Sequence, residues 1–499
     1  MEMIFSSDVA LTAMLSNPSM RADERASTSR MPARWRTLLV SICALIATRT
    51  PHAAASGYGS RAERTAPKIV TGSGSGPPRL RAFTWGIGGE RVGRPSNPSK
   101  LPPAMVELSV NAVAIAASGH TVLVDDTGYV YTAGRNSSAG GGGRGSPPIE
   151  DSGQLGRGGN PSAMERVLGR LNGEVVVSAG AGRYHTVVAT ESGKVFTFGL
   201  NDAGQLGAAG IMGVTPTTKV TCDSGGNCDG LMRKTSLVRE GESCYGGAAC
   251  RIGVPTQIKF GNGSIKFKSV AAGRYCGAAV SDAGAVYVWG LNSCANNAVP
   301  NTLLKDAQKA AAPRLVQGVS GVVKVDIGYT NMIFQTKDGG VYTCDTGFNG
   351  YAQVEPKAKV ELVRHQDFLT DQTSAADVAA GRCHFVVATK KGAVYTWGCG
   401  SSALGREGDR ERPAPVRGDM TSRVATHVAA GEYFTLINTK EGVIYGMGSG
   451  GNGNLGVQPG GSNDISSPVR VNVNSEVGTA RAIAAGYQHS VAILELYKL

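Results

Sequence analysis

The hydrophobic and polar positions of this chain alternate in short units that pair two apolar runs across a glycine turn. The segment AGRYHTVVATESGKVFTFG (181–199) holds one such unit, and β-branched and aromatic residues dominate both of its runs. Such runs, joined by a short glycine-bearing loop, are typical of a β-hairpin. A strand of small residues such as Val378-Ala379-Ala380 precedes each hairpin, and a proline followed by an apolar residue, as in Pro415-Val416, comes between units. Because proline is tolerated at a sheet edge, we predict four strands per unit.

The unit recurs along the chain, with the same internal length in five copies and with two residues missing after Gly119 in the copy at 117–134. The front half of a unit lies at 484–494 and the back half, AFTWG, at 82–86, so the two chain ends together supply one more unit. Split ends are expected of a closed ring, whereas an open solenoid needs polar caps. The sequence therefore predicts an all-β fold, a seven-bladed β-propeller whose ring is closed by pairing the N-terminal and C-terminal repeat halves. The other six units are at 117–134, 181–199, 272–290, 327–345, 380–398 and 430–448.

Several residue types recur at the same position in successive units of this chain, and we assign structural roles to them. His120, His185, His384 and His489 share one repeat position, so they fall in different blades and cannot form a metal cluster. We expect a ring nitrogen of each to bond the backbone of a neighbouring blade, because buried polar groups need partners. The structural repeat residues are Trp85, Gly86, Gly182, His185, Gly199, Gly273, Gly290, Gly381, His384, Trp397, Gly398, Gly431, Gly448, Gly486 and His489.

Composition agrees with a turn-rich β protein. The chain has 70 glycines among 499 residues, roughly twice the average share of about 7%, and 41% hydrophobic residues, too many for a disordered chain. Residues 1–80 include the glycine- and proline-rich TGSGSGPP and are predicted to be a leader and flexible linker. Residues 81–499 are predicted to form the propeller, with insertions at about 135–174 and 200–266, where unit spacing exceeds the usual length. Long loops of this kind are often functional.

The formal net charge of the chain is +12, and the residues after position 80 hold 40 basic and 33 acidic side chains, a mild excess of +7. It permits attraction to nucleic acid without indicating it, because no Lys/Arg run appears in the body of the chain. No segment reaches the ~20 apolar residues of a membrane-spanning helix. The apolar stretch LLVSICALIA (38–47) lies among arginines, which favours a mitochondrial transit peptide. The alternatives are a secretory signal, if Met31 starts the chain, and a cytosolic tail.

Ten cysteines are present, and four of them lie in the second insertion as two C-x₅-C pairs. Zinc sites favour closer spacing within a pair, of ~2–4 residues, so zinc ligands, disulfides and free thiols all stay open for Cys222, Cys228, Cys244 and Cys250. The remaining cysteines outside the leader are scattered, and most are expected at blade positions where a small apolar residue suffices. These are Cys276, Cys294, Cys344, Cys383 and Cys399.

Motifs for catalysis or cofactor binding are weak. Residues 448–453 fit G-x-G-x-x-G, but no helix pattern follows, so they are interpreted as part of the repeat. No nucleophile elbow, kinase motif set or H-E-x-x-H occurs. We therefore expect no catalytic residue and no cofactor, and the partner-binding residues are not identified by the sequence.

The unit resembles the repeat of the regulator-of-chromosome-condensation family, A-G-x-x-H-(S/T) followed by G-x-V-Y-x-W-G and N-x-x-G-Q-L-G. AGRYHTVVATESGKVFTFGLNDAGQLG (181–207) carries the match, and the resemblance covers about 82–495. It implies a monomeric propeller that acts as a protein-interaction scaffold or regulator and is not an enzyme. The alternatives are a guanine-nucleotide exchange factor for a small GTPase, the activity of the family's namesake, and an organellar RNA- or ribosome-associated factor. No exchange-factor wedge can be matched residue by residue in this sequence.

Overall fold

Strands make up nearly all of the regular structure in the described part of the chain. The computed structural model also has short 3-10 helices at Gly89–Val92, Gln366–Phe368, Ser401–Leu404 and Gly418–Ser422. None of the described helices is long and apolar enough to span a membrane. The structure describes residues 79–87, 89–94, 100–136, 152–167, 171, 173–201, 204–207, 221–222, 228–229, 251–261, 263–290, 312–329, 331–344, 362–457, 464–473 and 477–497. Most of the predicted leader lies outside these residues, as does most of the insertion at 200–266.

The strands follow the repeat along the chain. They are β1 (Leu80–Ile87), β2 (Lys100–Met105), β3 (Ala112–Ala117), β4 (His120–Asp125), β5 (Val130–Gly134), β6 (Glu165–Arg166), β7 (Val176–Ala181), β8 (His185–Thr190), β9 (Val195–Leu200), β10 (Thr221–Cys222), β11 (Cys228–Asp229), β12 (Arg251–Gln257), β13 (Phe267–Ala272), β14 (Cys276–Ser281), β15 (Val286–Gly290), β16 (Arg314–Leu315), β17 (Val322–Ile327), β18 (Met332–Thr336), β19 (Val341–Cys344), β20 (Leu362–Arg364), β21 (Ala375–Ala380), β22 (His384–Thr389), β23 (Val394–Gly398), β24 (Ala414–Pro415), β25 (Ala425–Ala430), β26 (Phe434–Thr439), β27 (Ile444–Ser449), β28 (Asp464–Arg470), β29 (Gly478–Ala485) and β30 (His489–Leu496).

Seven antiparallel sheets of four strands confirm the predicted propeller. We number the blades 1 to 7 from the blade that starts at β3, and we letter the strands of each blade a to d from the axis outward. Blade 2 uses β7, β8, β9 and β12, so β10 and β11 form a separate ladder within its c–d connection. Blade 7 has the strand order β29-β30-β1-β2, and Trp85 of β1 pairs with Ser490 of β30. The ring is therefore closed by both halves of the chain, as the split repeat predicts.

The core is divided among the junctions between neighbouring blades. Each junction holds one cluster of buried side chains, from blades 1 and 2 around to blades 7 and 1. In the closing junction, Ile493 and Ala82 of blade 7 pack with Leu123 of blade 1. Because every blade is buried on both faces by its neighbours, the packing continues around the whole ring, and the described blades form one rigid support for their loops.

A narrow channel of about 350 Å³ runs along the axis and is lined by the a strands of all seven blades. Small residues line it, because the seven strands converge there. Polar side chains of some a strands bond to the next blade. The carboxylates of Asp326 and Asp377 accept from the backbone N–H groups of Ala380 and Val428 at 2.9 and 3.0 Å. These bonds satisfy backbone groups on an inner edge that has no further strand to pair with.

Candidate functional site

The a–b turns and c–d connections of every blade lie at one end of the propeller, which we call the loop face. Strands a and c run in the same direction in a four-stranded antiparallel blade, so both connections leave the sheet at the same end. The short b–c turns lie at the opposite end. The longest connections therefore belong to the loop face, including the segment between Gly134 and Glu165 and the one between Leu200 and Arg251.

The a–b turns bring one repeat position from six blades together around the channel mouth. It is the position directly after the inner-turn glycine, and its residues line the channel. Blade 1 lacks it, because two residues are missing after Gly119. We call this set the arginine–tyrosine ring, and its members are Arg183, Arg274, Tyr329, Arg382, Glu432 and Tyr487.

Stacking on tyrosine holds the guanidinium groups of the ring. The guanidinium carbons of Arg274 and Arg382 lie 4.6 and 4.7 Å from the centre of the Tyr329 ring. The guanidinium of Arg183 stacks on Tyr487 at 4.4 Å and also donates to the Tyr487 hydroxyl. The ring centres of Tyr329 and Tyr487 are 5.5 Å apart. Because a guanidinium over an aromatic face keeps its N–H edge available, this packing orients the donors without using all of them.

Glu432 is the single carboxylate of the ring. It accepts from Arg382 at 2.7 Å and from the Tyr329 hydroxyl at 3.2 Å. Burial raises the pKa of Glu432, although the neighbouring guanidinium groups, Arg382 first, act to lower it. Behind the ring, burial lowers the pKa of Arg91, and repulsion from Arg135 and Arg183 adds to that effect. The ring therefore holds three guanidinium groups against one carboxylate.

The shared histidine position connects neighbouring blades through a threonine hydroxyl. Nε2 of His120 in blade 1 lies 2.6 Å from the hydroxyl of Thr186 in blade 2, which donates to the Gln154 carbonyl at 2.8 Å. Since the hydroxyl has one proton, His120 must donate through Nε2. The same arrangement joins His489 to Thr121 at 3.0 Å and His384 to Thr435 at 3.1 Å. The sequence analysis predicted that the histidine ring bonds to the neighbouring blade, but it expected a backbone group as the partner and not the threonine hydroxyl.

His185 lacks such a partner, because the corresponding residue of blade 3 is Gly277. A side chain there has no room, since its Cβ would come 2.6 Å from the Trp289 ring. Burial lowers the pKa of His120, His185 and His489 to about 3 and that of His384 to about 4. These rings are held neutral, which agrees with a structural role and gives no indication of acid–base chemistry.

Two glycine positions of the repeat are fixed by the same histidine. A Cβ on Gly182 would lie 2.4 Å from Nδ1 of His185, so the inner-turn glycine allows the ring to pack beneath it. Gly199, after the aromatic residue, has φ of +122°, and its Cβ would lie 2.5 Å from the Cα of His185. Only glycine meets both demands at low cost. Gly398 and Gly448 repeat this conformation with φ of 114° and 113°.

Three arginines that the sequence analysis did not single out clamp the outer strands. In blade 5, Arg406 is 8% exposed and donates to the carbonyls of Thr396 at 2.8 Å, Arg412 at 2.9 Å and Asp409 at 2.6 Å. Arg157 and Arg94 make equivalent bonds in blades 1 and 7. The signal was an arginine directly after the tail glycine, at Gly93, Gly156 and Gly405.

Replacing Arg406 with alanine is expected to lower the free energy of unfolding by about 2–3 kcal/mol, because several buried carbonyls lose a charged donor. Urea unfolding measures this loss. Arg410→Ala is the matched control, because Arg410 is exposed on the same loop and its change should stay within about 0.5 kcal/mol. Equal stabilities of the two variants would show that the clamp contributes nothing.

One pair of cysteines departs from the expectation that most of the scattered cysteines fill apolar blade positions. Cys383, in the a–b turn of blade 5, is joined by a disulfide to Cys399, just after β23, with the Cα atoms 5.4 Å apart. Cys276 does fill an apolar position, and burial raises the pKa of its thiol to about 12. Cys222 and Cys228 oppose each other in the β10–β11 ladder, whereas Cys244 and Cys250 lie outside the described residues.

No group of three or more His, Cys, Asp or Glu residues within the described ranges is arranged to hold a metal ion. The structural state of the four insertion cysteines therefore stays a prediction. The arginine–tyrosine ring at the channel mouth brings together charged and aromatic side chains from six blades, and the sequence analysis did not find it.

Comparison with known proteins agrees with this architecture. Family models described as "Regulator of chromosome condensation (RCC1) repeat" match residues 391–437 and 441–493, and 176–205 and 375–403. The chain is 27% identical to Regulator of chromosome condensation of Xenopus laevis, over 63% of this chain and 78% of that protein. It is 31% identical to the Homo sapiens protein of that name, over 50% of this chain and 46% of the relative. The structure of Prp20p from Saccharomyces cerevisiae is similar in fold, with a TM-score of 0.62 and 18% identity over 84% of this chain and 92% of that one.

Proposed function

We propose, on the premise that this chain is a seven-bladed propeller of regulator-of-chromosome-condensation repeats, that it acts without catalysis as a protein-interaction scaffold whose binding surface is the loop face. The observation that carries the proposal is the gathering of all a–b turns and c–d connections at one end of a rigid ring. Binding residues are commonly found on loops that a rigid scaffold supports. The opposite end carries the b–c turns, which are short, and the connections from one blade to the next.

A pair of charge reversals on opposite ends tests this assignment. Residues 407–412 of the c–d connection in blade 5 are exposed, and so are Lys390 and Lys391 at the b–c turn of the same blade. Arg410→Glu with Arg412→Glu changes the loop face, and Lys390→Glu with Lys391→Glu changes the opposite end by the same charge. We expect only the first pair to weaken partner capture, by about tenfold, as charge reversal in an interface does.

The readout is quantitative affinity purification of the full chain from its native cells, followed by measurement of binding to each recovered partner. The two variants must have equal melting temperatures for the comparison to hold. Weakening by the lysine pair alone would assign the interface to the wrong end of the propeller. Absence of any stable partner at physiological salt would contradict the scaffold function.

Guanine-nucleotide exchange on a small GTPase is the second candidate. Similarity favours it, because the frog relative is named Regulator of chromosome condensation and the yeast propeller was described together with its binding to Gsp1p and histones. Stopped-flow measurement of labelled GDP release from small GTPases tests it. Acceleration by the full chain that the Arg410→Glu, Arg412→Glu variant loses would support exchange activity. No acceleration across the GTPases would remove this candidate.

We propose the mitochondrion as the compartment of this protein, with the secretory pathway and the cytosol as alternatives. Association with RNA or the ribosome of an organelle is the third candidate function. The arginines around residues 38–47 support the mitochondrial proposal, whereas the Cys383–Cys399 disulfide favours the secretory alternative, because disulfides persist in oxidising compartments. N-terminal sequencing of the mature protein separates the three compartments. Cross-linking that recovers RNA in a salt-dependent manner would support the third function, and recovery of none would exclude it.

A further inference from the structure

We infer that the arginine–tyrosine ring at the mouth of the axial channel is a binding site for a small anion that carries a diphosphate or triphosphate group. This inference goes beyond the proposed scaffold function, because the site lies on the axis and needs no protein partner. It rests on the charge balance of the ring, on the way its guanidinium groups are held and on the space in front of them.

The charge balance leaves the ring with an excess of positive charge. Three guanidinium groups face one carboxylate, which leaves a formal excess of two positive charges. Glu432 already neutralises Arg382 at 2.7 Å. Arg183 and Arg274 have no carboxylate within ion-pair distance among the described residues. Such a concentration of like charge at a partly buried position is unfavourable unless an anion joins it.

Arg274 is the clearest sign of an incomplete site. Its guanidinium stacks on Tyr275 and Tyr329 at 4.8 and 4.6 Å, so the side chain is fixed in place. Its Nε is buried without a hydrogen-bond partner in the described structure. A fixed guanidinium with unused donors is the arrangement that binds phosphate oxygens, because its planar fork matches two of them.

The shape of the site favours phosphate groups over other anions and over a nucleobase. A single carboxylate matches one guanidinium fork, and Glu432 already occupies that role. Phosphate groups present several oxygens in different directions and can meet three guanidinium groups from three blades. The channel of about 350 Å³ is at the small end of ligand pockets, which enclose about 300–1,000 Å³. Both tyrosines of the ring already stack on arginines, so no base is expected to be recognised.

Isothermal titration calorimetry of the full chain with inorganic pyrophosphate, in a chloride buffer without phosphate, tests the site. We expect one binding site per chain, with affinity in the range of about 1 µM to 1 mM that weakens as salt rises. Orthophosphate should bind more weakly. A nucleoside diphosphate should bind within about threefold of pyrophosphate, because only the phosphates are recognised. Much tighter binding of the nucleotide would overturn recognition through phosphates alone.

Three variants separate this site from general attraction to a basic protein. Arg274→Ala is expected to weaken pyrophosphate binding at least tenfold. Arg364→Ala removes the same charge from another arginine stacked on a tyrosine, Tyr342 in blade 4, and should leave binding within about twofold. Glu432→Gln keeps an oxygen acceptor for Arg382 and removes the negative charge, so it should tighten binding about threefold.

Arg274→Ala should weaken pyrophosphate binding whereas Glu432→Gln should tighten it, so the site can still be tested if Arg274→Ala destabilises the blade. Melting temperatures identify that case, and Arg274→Lys then replaces it, with weaker binding still expected because the fork is lost. Equal losses in Arg274→Ala and Arg364→Ala would identify nonspecific binding and overturn the site. Weaker binding by folded Glu432→Gln, or no heat with pyrophosphate up to about 10 mM, would overturn it as well.

Discussion

The four shared histidines are expected to remove about 8 kcal/mol from the free energy of unfolding when the pH falls from 7 to 5, about 2 kcal/mol each. Burial lowers the pKa of these histidines to about 3 in three blades and about 4 in the fourth. In the unfolded chain, the pKa of histidine is about 6.5, so the unfolded state binds more protons below that pH. The stabilisation is complete above pH 6.5 and is lost as the pH falls toward the folded pKa values.

Urea unfolding at pH 7, 6 and 5 measures this slope, and one variant isolates the contribution of a single histidine. His185→Phe places at blade 2 the residue that blade 6 has at Phe434, under the same kind of inner-turn glycine. Because His185 has no threonine hydroxyl to lose, this variant should fold at pH 7. The stability that it loses between pH 7 and pH 5 should be smaller by about 2 kcal/mol, the contribution of one histidine. An unchanged slope would mean that the buried histidines do not control acid stability.

Trp85→Ala is expected to cost about 3–5 kcal/mol of folding stability and to open the propeller at blade 7 first. Trp85 is fully buried among residues of blades 6 and 7, and its Nε1 donates to the Asn454 carbonyl at 2.8 Å. It lies on β1, which is held to β30 and β29 of the same sheet through strand pairing and not through a turn of the chain. A cavity at this point therefore weakens the contacts that keep the ring closed.

Trp397→Ala is the matched control, because Trp397 fills the same repeat position in blade 5, where all four strands are consecutive. Both variants should be destabilised by a similar amount. Hydrogen exchange should differ, with early loss of protection in β1 and β2 for Trp85→Ala only. If the two variants lose protection in the same order around the ring, then the closing blade is no weaker than the others.

The architecture could be predicted from the sequence because the strands of each blade follow one another in a short, recognisable segment of the chain. The small a strand, the hairpin and the edge proline follow one another within a single unit, and the split of Trp85 and His489 between the chain ends indicated closure. Each of these features depends on neighbours in the sequence or on a count of units. The structure confirms the fold on this basis.

The candidate site was not predicted, because it forms only when the ring closes. Arg183, Arg274 and Arg382 are roughly 90 to 200 residues apart in sequence, and each resembles an ordinary exposed arginine in a turn. The three arginines form a site only because they occupy the same repeat position in different blades, and the closed ring places that position around the axial channel. The Thr186 partner of His120 was missed for the same reason, since it lies in the next blade. Aligning the units and comparing each position across blades would have found both.

The mixed strand order of blade 7 also determines when this protein can complete its fold. β1 leaves the ribosome before every other strand of the ring, but its partner β30 is synthesised last. The nascent chain therefore carries an unpaired strand edge until β30 has been synthesised, and the ring can close only after that point. Unpaired edges of this kind favour aggregation, so the interval before closure is when chaperone binding would matter most.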